Sequence, residues 1–378
     1  MSSVLYRKLP LILFFSSFML MGNADGAWAS CSPTAADNVD ATCTGTTTTP
    51  YGSGAETGVT VTVGSGASVA VGDAYAVSIA ISTGTVINSG TISTSNTDGF
   101  PISVYGQTIA TVNSGSISSS ITIGHSTGIF GETNTVTNSG TISASSTSGN
   151  SYDIIGTTAT VTNSGSISAS ATTGTTYGIY GATTATVTNS GTVSASTTLN
   201  YASAIIGTTA TVTNSGIISA SGTSYSTYGI EGDTTATVTN SGSISASNTV
   251  GSAYSVLGST TATVTNSGSI SASATTGLSY GVFGDTNTVT NSGTISASST
   301  SGDSHAIFGT TTATVNNSGT VSATSTSGTA WGIYGGSGNN TLTNTGTISA
   351  TTTSGTAYAI QFGSSVDTVT LGAVLIST

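Results

Sequence analysis

Thr160-Val161-Thr162-Asn163-Ser164-Gly165, with Ser166-Ile167-Ser168-Ala169-Ser170 directly behind it, is the phrase on which the chain is built. Its Asn recurs at 88, 113, 138, 163, 189, 214, 240, 266, 291, 317 and 344, in steps of 25 to 27 residues. A fixed period in this range is the signature of a solenoid, in which near-identical units stack and each touches only its neighbours. Around the Asn, apolar residues alternate with Ser and Thr at period two, the mark of half-buried strands. Each repeat holds three strand candidates. One has Val two residues before the Asn (Val136, Val161, Val187, Val212). The next has Ile or Val inside the Ser/Thr-rich stretch (Ile142, Ile167, Val193, Ile218). The third has Ile or Val two residues before a Gly (Ile129, Ile179, Val282, Ile333). The sequence therefore predicts an all-β fold, a single-stranded parallel β-helix with about 25–26 residues and three short strands per rung, right-handed by the crossover rule.

Within this scheme each residue of the phrase takes a separate task. The Val and Ile columns point inward. Asn138, Asn163, Asn189, Asn214, Asn240, Asn266 and Asn291 are expected to stack as an amide ladder along the axis. The Gly two residues on, such as Gly140, Gly165 and Gly191, is expected to supply a backbone position with positive φ. The Thr pair flanking Val is left facing solvent, and it forms the candidate contact face: Thr160, Thr162, Thr186, Thr188, Thr211, Thr213, Thr237, Thr239, Thr263 and Thr265.

Residues 1–29 read as a signal peptide. Arg7 and Lys8 form its positive region, 9–21 its apolar run, and Ala27-Trp28-Ala29 a small-x-small cleavage signal with the cut after Ala29. Arg7 and Lys8 are the only Lys or Arg in the chain; of the 13 acidic residues Asp25 leaves with the leader, so 12 acids remain with no Lys or Arg. Such a chain has nothing with which to neutralise phosphates, which excludes nucleic acid and electrostatic attraction to anionic lipid. Residues 30–58 are irregular and read as an N-terminal cap or tether, with Cys31 and Cys43 expected to form a disulfide suited to an exported chain. Residues 59–378 form the repeat domain.

The exported leader, the early Cys31 to Cys43-Thr44-Gly45 stretch, the rungs of Asn-Ser-Gly-Thr-Ile-Ser type and the ending Ala359-Ile360-Gln361-Phe362-Gly363, then Val366-Asp367-Thr368-Val369-Thr370-Leu371-Gly372, together resemble the passenger region of bacterial autotransporters of the surface-adhesin type. The resemblance covers almost the whole chain. It implies a β-helical rod at the cell surface or outside the cell. In that family a C-terminal β-barrel follows the passenger, and this sequence reaches Thr378 without alternating amphipathic strands of that kind. The resemblance then implies a separately encoded outer-membrane barrel as partner, or a periplasmic location where no transporter partner exists.

The same rungs carry the chain's candidate chemistry. Glu231 and Asp233 flank Gly232 and, by strand alternation, face one side like the carboxylate pair of a polysaccharide-active enzyme; as solvated acids they simply keep a rod soluble, which is the reading preferred here. The stretch from Gly335 to Thr343 resembles a calcium-binding nonapeptide but has Asn340 at a ligand position. His125 and His305 are seven repeats apart and read as surface or loop residues. Two aromatic columns recur. One follows the buried Ile or Val (Tyr105, Phe130, Tyr180, Phe283, Phe308, Tyr334). The other precedes it by two (Tyr152, Tyr177, Tyr228, Tyr254, Tyr280, Trp331, Tyr358). Both are expected to turn partly inward at corners as stacking core. The resulting expectation is a secreted, non-enzymatic structural or adhesive surface protein, with no cofactor and no metal. Its partners would be a host surface, a polysaccharide or its own copies. Ice binding by the Thr-x-Thr grid is the alternative, and polysaccharide chemistry a lesser one.

Overall fold

The computed structural model describes residues 31–72, 77–363, 366–372 and 375–378, so the leader expected at 1–29 lies outside the described residues. The chain winds into a parallel β-solenoid of about 13 turns. Its strands stack into two sheets, one of 18 strands and one of 14. The 14-stranded sheet collects the Ser/Thr-Ile-Ser segments, for instance Ser166–Ala171 on Thr192–Thr197. The other sheet departs from the expected three separate strands. In most turns the third candidate of one rung runs straight into the Asn phrase of the next, giving strands such as Ser151–Asn163 and Thr176–Asn189. The joint is a bend beside a Gly, where the ladder register slips between Gly156 and Thr158 or Gly181 and Thr184. That slip absorbs the extra residue of the longer rungs. Near the two ends they stay separate, as Val77–Ala80 and Thr83–Asn88 do, and as Ala330–Gly335 and Thr341–Asn344 do where 336–340 intervene.

Like residues stack on like residues, because parallel pairing repeats the sequence in register. Val161 pairs with Val187, Ile154 with Ile179 and Ile167 with Val193. All six side chains are essentially inaccessible to solvent. Each such burial is worth about 1.5–3 kcal/mol relative to exposure, and no rung could bury its inner face without the rungs above and below.

The Asn column is buried inside the turn. Asn163 Nδ2 donates to Asn189 Oδ1 at 2.8 Å, Asn189 to Asn214 at 2.8 Å, and the same bond links successive Asn residues from Asn88 to Asn344. Each Nδ2 also lies near the carbonyl two residues on and one in the following turn, as Asn163 does with Gly165 O at 3.2 Å and Thr192 O at 3.0 Å. The Gly behind the Asn is needed for a reason other than the one expected. Among the described residues its column is not at positive φ; instead a Cβ on Gly165 would stand 2.1 Å from Gly140 O of the turn below. Close backbone approach, not left-handed geometry, excludes a side chain there.

The stretch 30–58 carries strands of its own. Asp40–Cys43 pairs in parallel with Val59–Val63, and Thr46–Thr47 with Ser68–Val71. Cys31–Ser32 lies antiparallel on Asp40–Cys43, and Cys31 and Cys43 are joined by a disulfide. Register places Cys43 and Val63 directly below Asn88, so the disulfide stands at the foot of the Asn column.

Candidate functional site

The surface with the most regular chemistry lies over the Asn phrase. In Ser151–Asn163 the inward residues are Ala159, Val161 and Asn163, which sends Thr158, Thr160 and Thr162 outward. β-Branched Thr suits an exposed strand position. In-register pairing turns each Thr into a lane. Thr135, Thr160, Thr186, Thr211, Thr237, Thr263 and Thr288 form one lane, and Thr137, Thr162, Thr188, Thr213, Thr239, Thr265 and Thr290 another. All ten expected contact residues lie in these two lanes; Thr186 and Thr263 are half-buried and the other eight exposed. A third lane, Thr133, Thr158, Thr184, Thr209, Thr235, Thr261 and Thr286, runs beside them and escaped the sequence reading. Its signal was the small Ala before Thr-Val-Thr (Ala159, Ala185, Ala210, Ala236, Ala262), an inward residue that forces the preceding Thr outward.

Hydroxyls on this face repeat about every 4.8 Å along the axis and about 6.6 Å across it. No charged residue occurs in the three lanes between Thr133 and Asn317. The two lanes flanking Val end toward the N-terminus, where Ile87 and Val112 point outward, 37% and 45% exposed, while the third continues through Thr108 and Thr83. In that turn the Thr-Val order is reversed, so Thr111 is buried instead.

The aromatic columns do not join the core. In Ser279–Asn291, Ser279, Tyr280, Gly281 and Val282 are all buried and Phe283 is half-buried. Two consecutive inward residues, Gly281 and Val282, break the alternation, so Tyr280 and Phe283 emerge on the same outer side. Their rings meet edge to face at 5.1 Å. Along the axis Tyr228, Tyr254, Tyr280, His305 and Trp331 stack nearly parallel, with centroids 5.1, 4.8, 4.9 and 4.3 Å apart. Phe283, Phe308 and Tyr334 stack beside them at 5.5 and 4.6 Å. The columns stack as expected and are largely covered, with Tyr228 and Tyr280 only 8% and 7% exposed, but they pack on one another as a double ladder beside the core cluster and not within it. With ring faces spent on one another, the ladder presents edges to solvent and leaves no slot for a flat ligand within these runs.

His305 is not a surface residue. It is 5% exposed between Tyr280 and Trp331, and burial pushes its pKa down to about 3. His125 accepts a hydrogen bond from the Asn150 N–H at 3.0 Å, and burial lowers its pKa.

Glu231 and Asp233 differ in burial rather than forming a solvated pair. Glu231 is 3% exposed and accepts a hydrogen bond from Ser203 Oγ at 2.7 Å, while Asp233 is exposed. Gly232 is the bend of that strand, so alternation does not carry across it. The nearby Tyr180 hydroxyl has a raised pKa, from burial first and then from Asp233 and Glu231. In the Gly335–Thr343 stretch, Asn340 is buried and its amide is committed. Oδ1 accepts from the Ala313 N–H at 2.8 Å, and Nδ2 donates to Gly336 O at 3.0 Å and Gly338 O at 2.9 Å. Among the described residues no three of His, Cys, Asp or Glu come together as metal ligands.

One carboxyl escaped the sequence reading altogether. Asp153 fills a position held elsewhere by small residues such as Ser103, Gly178, Ala204 and Ser255. It is fully buried, with no hydrogen-bond partner within normal geometry for either oxygen. Burial raises its pKa well above the usual carboxylate range, offset in part by the Ala144 backbone N–H.

Comparison with protein families, with curated proteins and with solved structures finds no match.

Proposed function

We propose that this chain is a non-catalytic structural or adhesive rod, exported by its leader and acting at the cell surface in the manner of an autotransporter passenger. The observation that supports this reading is the uncharged face of three threonine lanes. A single hydroxyl–methyl contact on such a face is weak, but the same contact recurs every turn, so binding strength grows with the length of rod engaged. The chemistry suits a polysaccharide, a host surface or another copy of the rod. The test is a Thr211→Val, Thr213→Val, Thr237→Val, Thr239→Val variant, which removes four exposed hydroxyls while keeping shape. Adhesion of the purified rod to polysaccharide-coated, cell-coated or self-coated surfaces should drop severalfold. Unchanged adhesion to all three would reject the face as the contact surface. Export is tested separately by locating the full chain in fractionated cells.

Ice binding is a second reading of the same grid, supported by the two-dimensional regularity of exposed hydroxyls and methyls without intervening charge. It requires thermal hysteresis of the purified rod that is abolished by Thr213→Tyr; a rod without hysteresis leaves only the adhesive reading.

A further inference from the structure

At the corner where the Ser-rich sheet hands the chain back to the long strands, a Gly stands in nearly every turn: Gly99, Gly124, Gly149 and Gly174, then Gly251, Gly277, Gly302, Gly328 and Gly355. The stacking demands it. A Cβ on Gly174 would come within 1.7 Å of Gly149 O, and one on Gly277 within 2.1 Å of Gly251 O. Two successive turns break the column, with Asn200 and Tyr225 at the Gly level. These turns also carry large apolar side chains, as the N-terminal part of the same edge does with Phe100 and Ile123, 46% and 57% exposed. Leu199 is 49% exposed, Tyr225 52% and, one turn on, Val250 56%. The Tyr201 and Tyr225 rings lie 5.2 Å apart at a 51° tilt. None of the four joins the core, so the departure from Gly brings no burial in return.

The Tyr225 loop is nevertheless held. Asn248, itself 6% exposed, donates from Nδ2 to Tyr225 O, and its Oδ1 accepts from the N–H groups of Val250 and Gly251 at 3.1 and 2.7 Å. In other turns a shorter side chain makes the matching bond to the Gly carbonyl, as Thr197 does to Gly174 O at 2.7 Å and Ser299 to Gly277 O at 2.8 Å. Next to this loop, in the same turns, runs a shallow groove of about 270 Å³ whose polar lining includes Ser196, Thr198, Ser221 and Thr223. No acid or base occurs in 196–201, 221–226 or 247–252.

We propose that this groove, with the exposed Tyr225 two residues beyond its Thr223 edge, forms a subsite for a neutral saccharide. An aromatic ring offers the apolar face of a pyranose a stacking partner, and a hydroxyl-lined floor can both donate to and accept from sugar hydroxyls. The lack of charge selects against acidic sugars, since a carboxylate would lose hydration without gaining a cation. The volume lies just below the usual range for ligand pockets, about 300–1,000 Å³, and suits a single unit of a longer sugar chain. The subsite rests on the reading of the rod as an adhesin and gives it one point of chemical selectivity, in addition to the repeated contacts of the threonine face on another side.

The test is saturation-transfer NMR on the full-length mature rod with a panel of neutral disaccharides (cellobiose, maltose, lactose) and N-acetylneuraminic acid as the charged comparison. Transfer to at least one neutral sugar is expected, with N-acetylneuraminic acid silent. Tyr225→Gly installs the residue that flanking turns carry, so its fold is expected to persist, as circular dichroism and melting will show. That variant should weaken sugar binding tenfold or more. The four-fold Thr→Val variant should retain it, so failure of the subsite and failure of the face are read separately. The proposal is overturned by no transfer from any neutral sugar, by equal transfer from the acidic one, or by full binding in folded Tyr225→Gly. It is also overturned if that variant alters only self-association in sedimentation, which would make Tyr225 a contact between rods.

Discussion

Asn214→Ala tests the amide ladder at its middle. Asn214 Nδ2 donates to Asn240 Oδ1 at 2.8 Å and approaches Gly216 O and Ser243 O at 3.1 Å, while its Oδ1 accepts from Asn189 Nδ2 at 2.8 Å. Truncation removes these bonds, each worth about 1 kcal/mol net, and strips the buried Asn240 Oδ1 of its ladder donor at a further cost of about 1–3 kcal/mol. A loss of about 3–5 kcal/mol follows. At the end of the ladder the loss is smaller. Asn344 accepts from Asn317 at 2.7 Å and donates to Gly346 O at 3.1 Å, but Leu371 occupies the next position in the column. Asn344→Ala should therefore cost about 1–2 kcal/mol. Because a solenoid's stability is a sum of nearest-neighbour terms, the central gap should also split urea unfolding into two transitions. Amides of turns flanking Asn214 should lose hydrogen-exchange protection first. Asn214→Asp adds a sharper control: its carboxylate faces Asn240 Oδ1, a repulsion relieved when acid protonates it. The ladder account is refuted if Asn214→Ala destabilises no more than exposed Thr213→Ala, or if the central and terminal substitutions cost the same.

Asp153→Ser should stabilise the rod at pH 7 and have little effect near pH 3. The folded-state pKa of Asp153 is raised, so its penalty is absent below the unfolded value of about 3.9 and grows by about 1.4 kcal/mol per pH unit until the folded pKa is reached. Melting of both proteins across pH checks the sign. Gly165→Ala should cost about 1–3 kcal/mol or prevent folding, since the new Cβ would meet the Gly140 carbonyl at 2.1 Å; chemical denaturation measures it. Reducing the Cys31–Cys43 bond, which spans 12 residues, should cost about 3 kcal/mol, read as lost exchange protection confined to the first turns. The His305 ring should stay neutral down to a pH of about 3, which its NMR titration would show.

The period, the Val and Ile columns and the Asn ladder were legible because parallel stacking writes them into the sequence once per turn. What was not legible broke the period-two rule locally. The paired inward residues at Gly281 and Val282 reverse the facing of Tyr280, and only the persistently small residue at that level gives them away (Ser103, Gly128, Gly178, Ala204, Gly229). Gly165 was rightly singled out but for the wrong cause: φ and close approach both select glycine, and sequence alone does not distinguish them. The third threonine lane was missed because Ala159, unlike Val161, does not announce which way it points.

The Asn ladder has one more property. Every amide in it donates in the same sense, from Asn88 toward Asn344. Their dipoles therefore add, and each polarises the next. The rod carries an electrical axis in addition to its net negative charge, the positive end of the ladder toward Asn344. Two such rods lying side by side attract when head lies by tail and repel when heads align. A dilute solution should accordingly orient in an electric field, and the transient of its birefringence on field reversal reports whether a permanent dipole lies along the rod.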